Sequence, residues 1–156
     1  KGGIMDPKTG MMNMYGQMGI LIELYDNYMQ NHEDFAYICF EVTSYNNIIE
    51  DYGSEVAEDL IRIISIKILN VFGPKVTIAR IYGANFGITG RKMSLEEAEI
   101  KAERLSDVLR DIKEVDNRLC SLRVIYGIAM GSEKDNVLEV TELARQRSKG
   151  IGVPLS

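Results

Sequence analysis

The stretch "KVTIARIYGANFGITGRK", residues 75–92, decides how this 156-residue chain is to be read. Apolar and polar residues alternate on both sides of Tyr82-Gly83-Ala84-Asn85, the pattern of two short strands joined by a tight turn. The tip of that hairpin carries no charge. Away from it the apolar period changes from two residues to three or four. After the turn element "DPKTG", the positions Met11, Met14, Tyr15, Met18, Ile22, Tyr25 and Met29 predict an amphipathic helix over 11–31. "FAYICFEVT", residues 35–43, has the length and composition of a buried strand. Ser44 is placed to cap a short helix that Gly53 ends, and a longer helix follows over about 55–72, stopped by Gly73-Pro74. Beyond the hairpin, Ser94 and Glu97 have capping-box spacing at the head of a charged helix. "CSLRVIYGIAMG", residues 120–131, predicts another strand, and 135–149 a last helix. The order helix, strand, helices, hairpin, helix, strand, helix predicts an α/β sandwich with a mixed, largely antiparallel sheet flanked by helices.

Composition bounds the function. With 46% hydrophobic residues the chain supports one real core, read as a linker or turn at 1–10 and a single domain at 11–156. A net charge of -5 argues against a general nucleic-acid binder, because counterion release needs clustered Lys and Arg. Cys39 and Cys120 lie in apolar runs without CxxC spacing, so reduced buried thiols are expected, a usage that suits the cytoplasm. No apolar stretch approaches the length of a membrane span, so no membrane contact is expected of this segment. The absence of an initiator Met suggests a piece of a larger protein.

Five segments, in order, resemble the GGDEF domain of diguanylate cyclases. "DPKTGMMN" is similar to D-x-L-T-G-L-x-N, keeping Asp6, Thr9, Gly10 and Asn13. "FEVTSYNNIIEDYGSEVAEDLI" is similar to D-I-D-x-F-K-x-I-N-D-x-Y-G-H-x-x-G-D-x-x-L, keeping Ile48, Tyr52 and Gly53. "ARIYGANF" stands where the family has R-x-G-G-D-E-F, keeping Arg80, Gly83 and Phe86. "VIYGIAMG" resembles S-x-G-I-A, and "SKGIG" the closing A-K-x-x-G. The resemblance implies a nucleotidyl-cyclase-like palm. It also implies an ancestral chemistry in which two GTP molecules, one on each subunit of a dimer, are joined into cyclic di-GMP with divalent metal.

Carried onto this chain, the resemblance implies a degenerate site with no intact catalytic set at Tyr82, Gly83, Ala84, Asn85 and Phe86. The metal-binding acids map to Glu41, beside Val42, and to Ala84, which has no donor. The family's catalytic Glu is Asn85, an amide without negative charge, and its second strand Asp is Thr43. Tyr82 replaces the glycine that lets the backbone pass the triphosphate. Guanine recognition maps to Ile49 and Glu58, and the phosphate-side cations map to Asn46, Lys149 and Val153. The inhibitory R-x-x-D pair would fall at Gly73 and Val76 and is absent.

The retained residues also have plain structural readings. Glu41 suits a strand-end carboxylate paired with a cation, Glu58 a solvated acidic helix start, and Lys149 a helix C-terminus. Arg80 suits an ion pair, and His32 a solvated turn. The functional expectation is a degenerate GGDEF module with a regulatory or interaction role in a larger signalling protein. Two alternatives stand beside it: a receptor for GTP or another guanine nucleotide, supported by Glu41, Glu58 and Lys149 with Asn46 as a further binding candidate, and an atypical cyclase using Glu41 with Glu50 or Asp51. Mg²⁺ with GTP belongs to either alternative. The expected partners are attached sensory or signalling domains and a second copy of the chain.

Overall fold

A computed structural model describes residues 3–6 and 9–151. Helix α1 (Met14–Asn31) leads into strand β1 (Phe35–Val42), and helices α2 (Tyr45–Tyr52) and α3 (Ser54–Phe72) connect it to the hairpin β2 (Val76–Tyr82) and β3 (Asn85–Arg91). Helix α4 (Leu95–Arg110), a small hairpin of β4 (Glu114–Val115) and β5 (Arg118–Leu119), strand β6 (Val124–Met130), a 3-10 turn and α5 (Val137–Ser148) complete the order.

The main sheet runs β2-β3-β1-β6, and each of its ladders is antiparallel. The one described parallel element outside it is a bridge between Met12 and Ala79. β1 sits between β3 and β6, and its near-continuous apolar run reflects helices covering both of its faces. Ile38 and Phe40 turn toward α3 and α4, joining Phe86, Ile88, Leu60, Ile61, Ile64 and Leu105. Tyr37 and Cys39 turn the other way, toward Leu21 and Leu24 of α1 and Leu143 of α5. Each fully buried Leu or Ile of these cores contributes about 2 kcal/mol. Gly127 lets α5 lie directly on β6, since a Cβ there would stand 2.2 Å from the Ala144 carbonyl oxygen.

Local signals explain most boundaries. α1 begins at Met14, later than the expected residue 11, because the Asn13 side chain caps it by accepting from the Tyr15 and Gly16 amides. His32 ends it in the left-handed conformation (φ 58°), exposed and edge-on to Tyr28. Ser94 caps α4 by accepting from the Glu97 amide. Ser44 does not cap α2 with its side chain; its hydroxyl instead accepts from the Arg123 amide, tying the end of β1 to the approach to β6. The strand expected at 120–131 is shorter, because Leu119 pairs back with Glu114 and regular pairing with β1 begins only at Val124. Cys39 is buried and Cys120 half-buried, both as free thiols. No described helix is long and apolar enough to cross a membrane.

The segment before α1 is stitched to the domain. Met5 bridges Met12, the Arg80 amide donates to the Met12 carbonyl at 2.9 Å, and the Asn13 side chain donates to the Gly3 carbonyl at 2.6 Å. Asp6 closes the turn by accepting from the Thr9 amide and hydroxyl at 3.0 and 2.7 Å.

Candidate functional site

The β2–β3 turn is the quoted neutral tip. Tyr82 pairs with Asn85, so Gly83 and Ala84 form a two-residue turn, and Gly83 takes the positive φ of 51° that a hairpin turn demands. A register shift between Arg80 and Tyr82 marks a bulge just before the tip. The tip residues then divide. Ala84 is buried in the core cluster with its carbonyl accepting from the Val42 amide at 3.0 Å, Asn85 is buried on the opposite face, and Tyr82 stands 60% exposed. Phe86 is fully buried.

Two polar clusters flank this turn. The first is centred on Arg80, whose side chain is 8% exposed. Its guanidinium donates to both Glu58 carboxylate oxygens at 2.8 Å, and its Nε donates to the Gly83 carbonyl at 2.7 Å. Asp6 lies 3.5 Å away on the same guanidinium, and the Tyr45 hydroxyl donates to Glu58 at 2.6 Å. One arginine thereby joins the N-terminal turn, α2, α3 and the hairpin tip. Hydrogen bonding to Glu58 raises the Arg80 pKa against its partial desolvation. The Tyr45 phenol is pushed up to about 12 by burial first and then by Glu58. Glu58 is therefore a half-buried ion-pair partner, not the solvated acid expected from its acidic neighbours.

The second cluster is Glu41, Asn85 and Lys149. Lys149, which caps the C-terminus of α5, places Nζ 3.5 Å from Glu41 Oε1, and the Asn85 amide donates to the same oxygen at 3.4 Å. Cys39 lies beneath, its thiol pKa raised chiefly by burial. The strand register sets the cluster, because Glu41 stands directly opposite Asn85.

A hard divalent cation needs several oxygen donors held together. Here Glu41 already faces an ammonium and an amide donor, Ala84 offers no side-chain oxygen, and the Val42 side chain is buried in the core. Among the described residues no group of three or more His, Cys, Asp or Glu is placed to hold a metal. The residues present do not fit a paired-carboxylate metal site.

The remaining sequence candidates are dispersed. Asn46 is exposed on α2, and Ile49 packs toward the core. Glu50 and Asp51 lie on the same helix, with Asp51 lining a surface depression alongside Tyr52, Cys120 and Arg123. Val153, and the Gly152 that closes "SKGIG", lie outside the described residues. Sequence reasoning missed Tyr45, which stands where the family has Phe and adds a hydroxyl to the Arg80 cluster. The signal was present in the residue type, but its target, Glu58, is 13 positions away.

Comparison with known proteins agrees with this architecture. The GGDEF domain of FimX from Pseudomonas aeruginosa is similar, at a TM-score of 0.89 with 16% identity, covering 96% of this chain and 93% of that one. The diguanylate cyclase SiaD of the same organism, solved with its activator SiaC, gives a TM-score of 0.87 at 16% identity, covering 95% and 57%. The active GGEEF domain of a Vibrio cholerae diguanylate cyclase gives 0.81 at 11%, covering 88% of each chain. Among curated sequences, the cyclic di-GMP phosphodiesterase NbdA of Pseudomonas aeruginosa is 21% identical over 151 residues. The chain spans 19% of that relative's length, and 94% of its own. The family described as "Diguanylate cyclase, GGDEF domain" matches residues 3–149, and this protein belongs to that family.

Proposed function

We propose that this chain is the GGDEF domain of a cyclic di-GMP signalling protein, does not itself join GTP molecules, and serves as a cytoplasmic regulatory or interaction module. The observation that carries the reading is the composition of the cleft around the hairpin tip. Glu41 is the one acid kept from the family's metal pair, and it is compensated internally by Lys149 and Asn85. Ala84 is turned into the core. Phosphoryl transfer from GTP depends on metal and positioned charge to stabilise the reacting phosphate. This cleft supplies neither a second carboxylate nor a general base at the tip. The match to a region of NbdA, a cyclic di-GMP phosphodiesterase, supports a place in the same signalling chemistry.

Guanine-nucleotide binding without turnover would have to use Glu58, which is held by Arg80 and Tyr45, so the same geometry weighs against the receptor alternative. A second copy and attached sensory domains remain the partners this reading invokes. The test is incubation of the purified chain with GTP and Mg²⁺ or Mn²⁺, followed by chromatography for cyclic di-GMP, with calorimetry run in parallel. No product and no saturable GTP heat is the expected result. Sustained product formation overturns the reading, and saturable heat without product favours the receptor alternative.

A further inference from the structure

Helix α1 carries a second apolar stripe that its packing uses only in part: Tyr25 packs against the cluster of Leu21, Leu24 and Leu143, while Tyr15, Ile22 and Met29 are exposed. Leu21 and Leu24, with Gln17, are buried toward the sheet and α5. Roughly 110° around the axis, Tyr15, Met18, Ile22, Tyr25 and Met29 repeat at alternating three- and four-residue steps. Tyr15 is 70%, Ile22 48% and Met29 60% exposed. Alternating steps of this kind form the seam that one helix offers to another.

The charge beside the seam is mostly acidic. Asp26 borders it along α1, and α1 contains no Lys or Arg. On the other border the Tyr25 hydroxyl donates to the Lys134 carbonyl at 2.7 Å, at the start of a run that continues with Asp135. The Tyr25 phenol is pushed up by desolvation first and then by Asp135, Tyr28 and Glu139. Lys134 is the basic residue of this rim.

We propose that this face of α1 docks a basic amphipathic helix, one whose apolar residues follow the same steps and are flanked by Lys or Arg. Charge complementarity selects that occupant over a second copy, whose α1 carries the same acids, Glu23 and Asp26, and no Lys or Arg. Met18 and Met29 suit such a surface because unbranched thioether side chains adapt to different partner shapes. The proposal uses no residue of the Glu41 and Arg80 clusters and does not depend on whether the cleft is inactive.

Fluorescence anisotropy tests it, with a labelled synthetic peptide of about 20 residues carrying Leu at the seam positions and Lys and Arg beside them. A matched peptide carries Glu at the flanking positions. The basic peptide is expected to saturate and the acidic one not. Ile22→Asp, Met29→Asp and the double charge reversal Asp26→Lys with Asp135→Lys are each expected to weaken binding by about tenfold or more. The double reversal Glu96→Lys with Glu99→Lys on α4, an equal change in net charge at another face, is expected to leave binding unchanged. All replaced side chains are exposed, and thermal melts check that each variant folds. The proposal is overturned by equal binding of both peptides, by equal loss with the α4 control, or by an Ile22-dependent dimer in sedimentation. Capture by anionic phosphatidylserine vesicles with no peptide binding also overturns it.

Discussion

Arg80 holds Glu58 through both carboxylate oxygens at 2.8 Å, and the pair is withdrawn from solvent with side-chain exposures of 8% and 13%. Removing one partner leaves the other desolvated and uncompensated. Arg80→Ala is expected to destabilise the fold by about 3 kcal/mol, measured by urea denaturation. Glu58→Gln retains hydrogen-bonding capacity and is expected to cost less, about 1 kcal/mol. Equal losses from the two variants would show that the pairing of opposite charges, and not hydrogen bonding alone, sets the cost.

The Lys149–Glu41 contact is longer and wetter, at 3.5 Å with exposures of 37% and 21%. Lys149→Ala is therefore expected to lower stability by less than about 1 kcal/mol in the same titration. A loss as large as that of Arg80→Ala would contradict the ranking of the two clusters.

Placing acids at the tip is not expected to give cyclase activity. Ala84→Asp puts a carboxylate at a position 4% exposed within the core cluster, and Asn85→Glu sets a second acid opposite Glu41. The double variant is expected to lose about 2 kcal/mol of stability and to make no cyclic di-GMP by chromatography. Detectable turnover would show that the tip acids alone separate this chain from an active one.

Gly127→Ala tests the contact between β6 and α5. The added Cβ meets backbone on α5, the Ala144 carbonyl oxygen at 2.2 Å and the Ser148 nitrogen at 2.3 Å, so relief requires moving a helix. A loss of about 3 kcal/mol is expected. Gly87→Ala meets only side chains, Gln17 and the Tyr37 hydroxyl, and is expected to cost less because Gln17 can swing aside.

Acid lability is expected to involve Glu133. Arg147 donates to both of its oxygens, at 2.9 and 2.8 Å, and this hydrogen bonding holds its carboxyl below the ordinary value of 4.5. A depressed carboxylate pKa contributes stability that is present above the unfolded value and is lost as pH falls through the folded one. Stability followed by denaturation should therefore decline below about pH 4.5. Glu133→Gln should flatten the decline in that window while lowering stability at neutral pH. An unchanged acid profile would remove this pair from the account.

The helices and strands were legible because their apolar periods are local properties of the chain. The doubly covered strand at 35–42 and the hairpin around Gly83 followed directly from composition and turn chemistry. The family resemblance was equally legible, since its motifs are short runs at fixed spacing. The shortened β6 and the β4–β5 hairpin were not, because both depend on which backbone groups find partners across a turn. Ser44 failed as a cap for a related reason: a nonlocal amide, Arg123, competes for its hydroxyl.

For the site, the sequence by itself determined which side chains stand at the matched motif positions: Ala84 with no oxygen donor, Asn85 with no charge and Ile49 with no polar atom. Side-chain chemistry alone settles that. Only the tertiary structure decided what the retained residues do. Glu58, Arg80, Tyr45 and Asp6 come from four separate segments, and Glu41 meets Lys149 from 108 positions away. Each of these charges finds its partner through sheet register and helix packing. The physical reason is that a desolvated charge takes whatever opposite charge the fold brings within reach, and that choice is not written in local sequence.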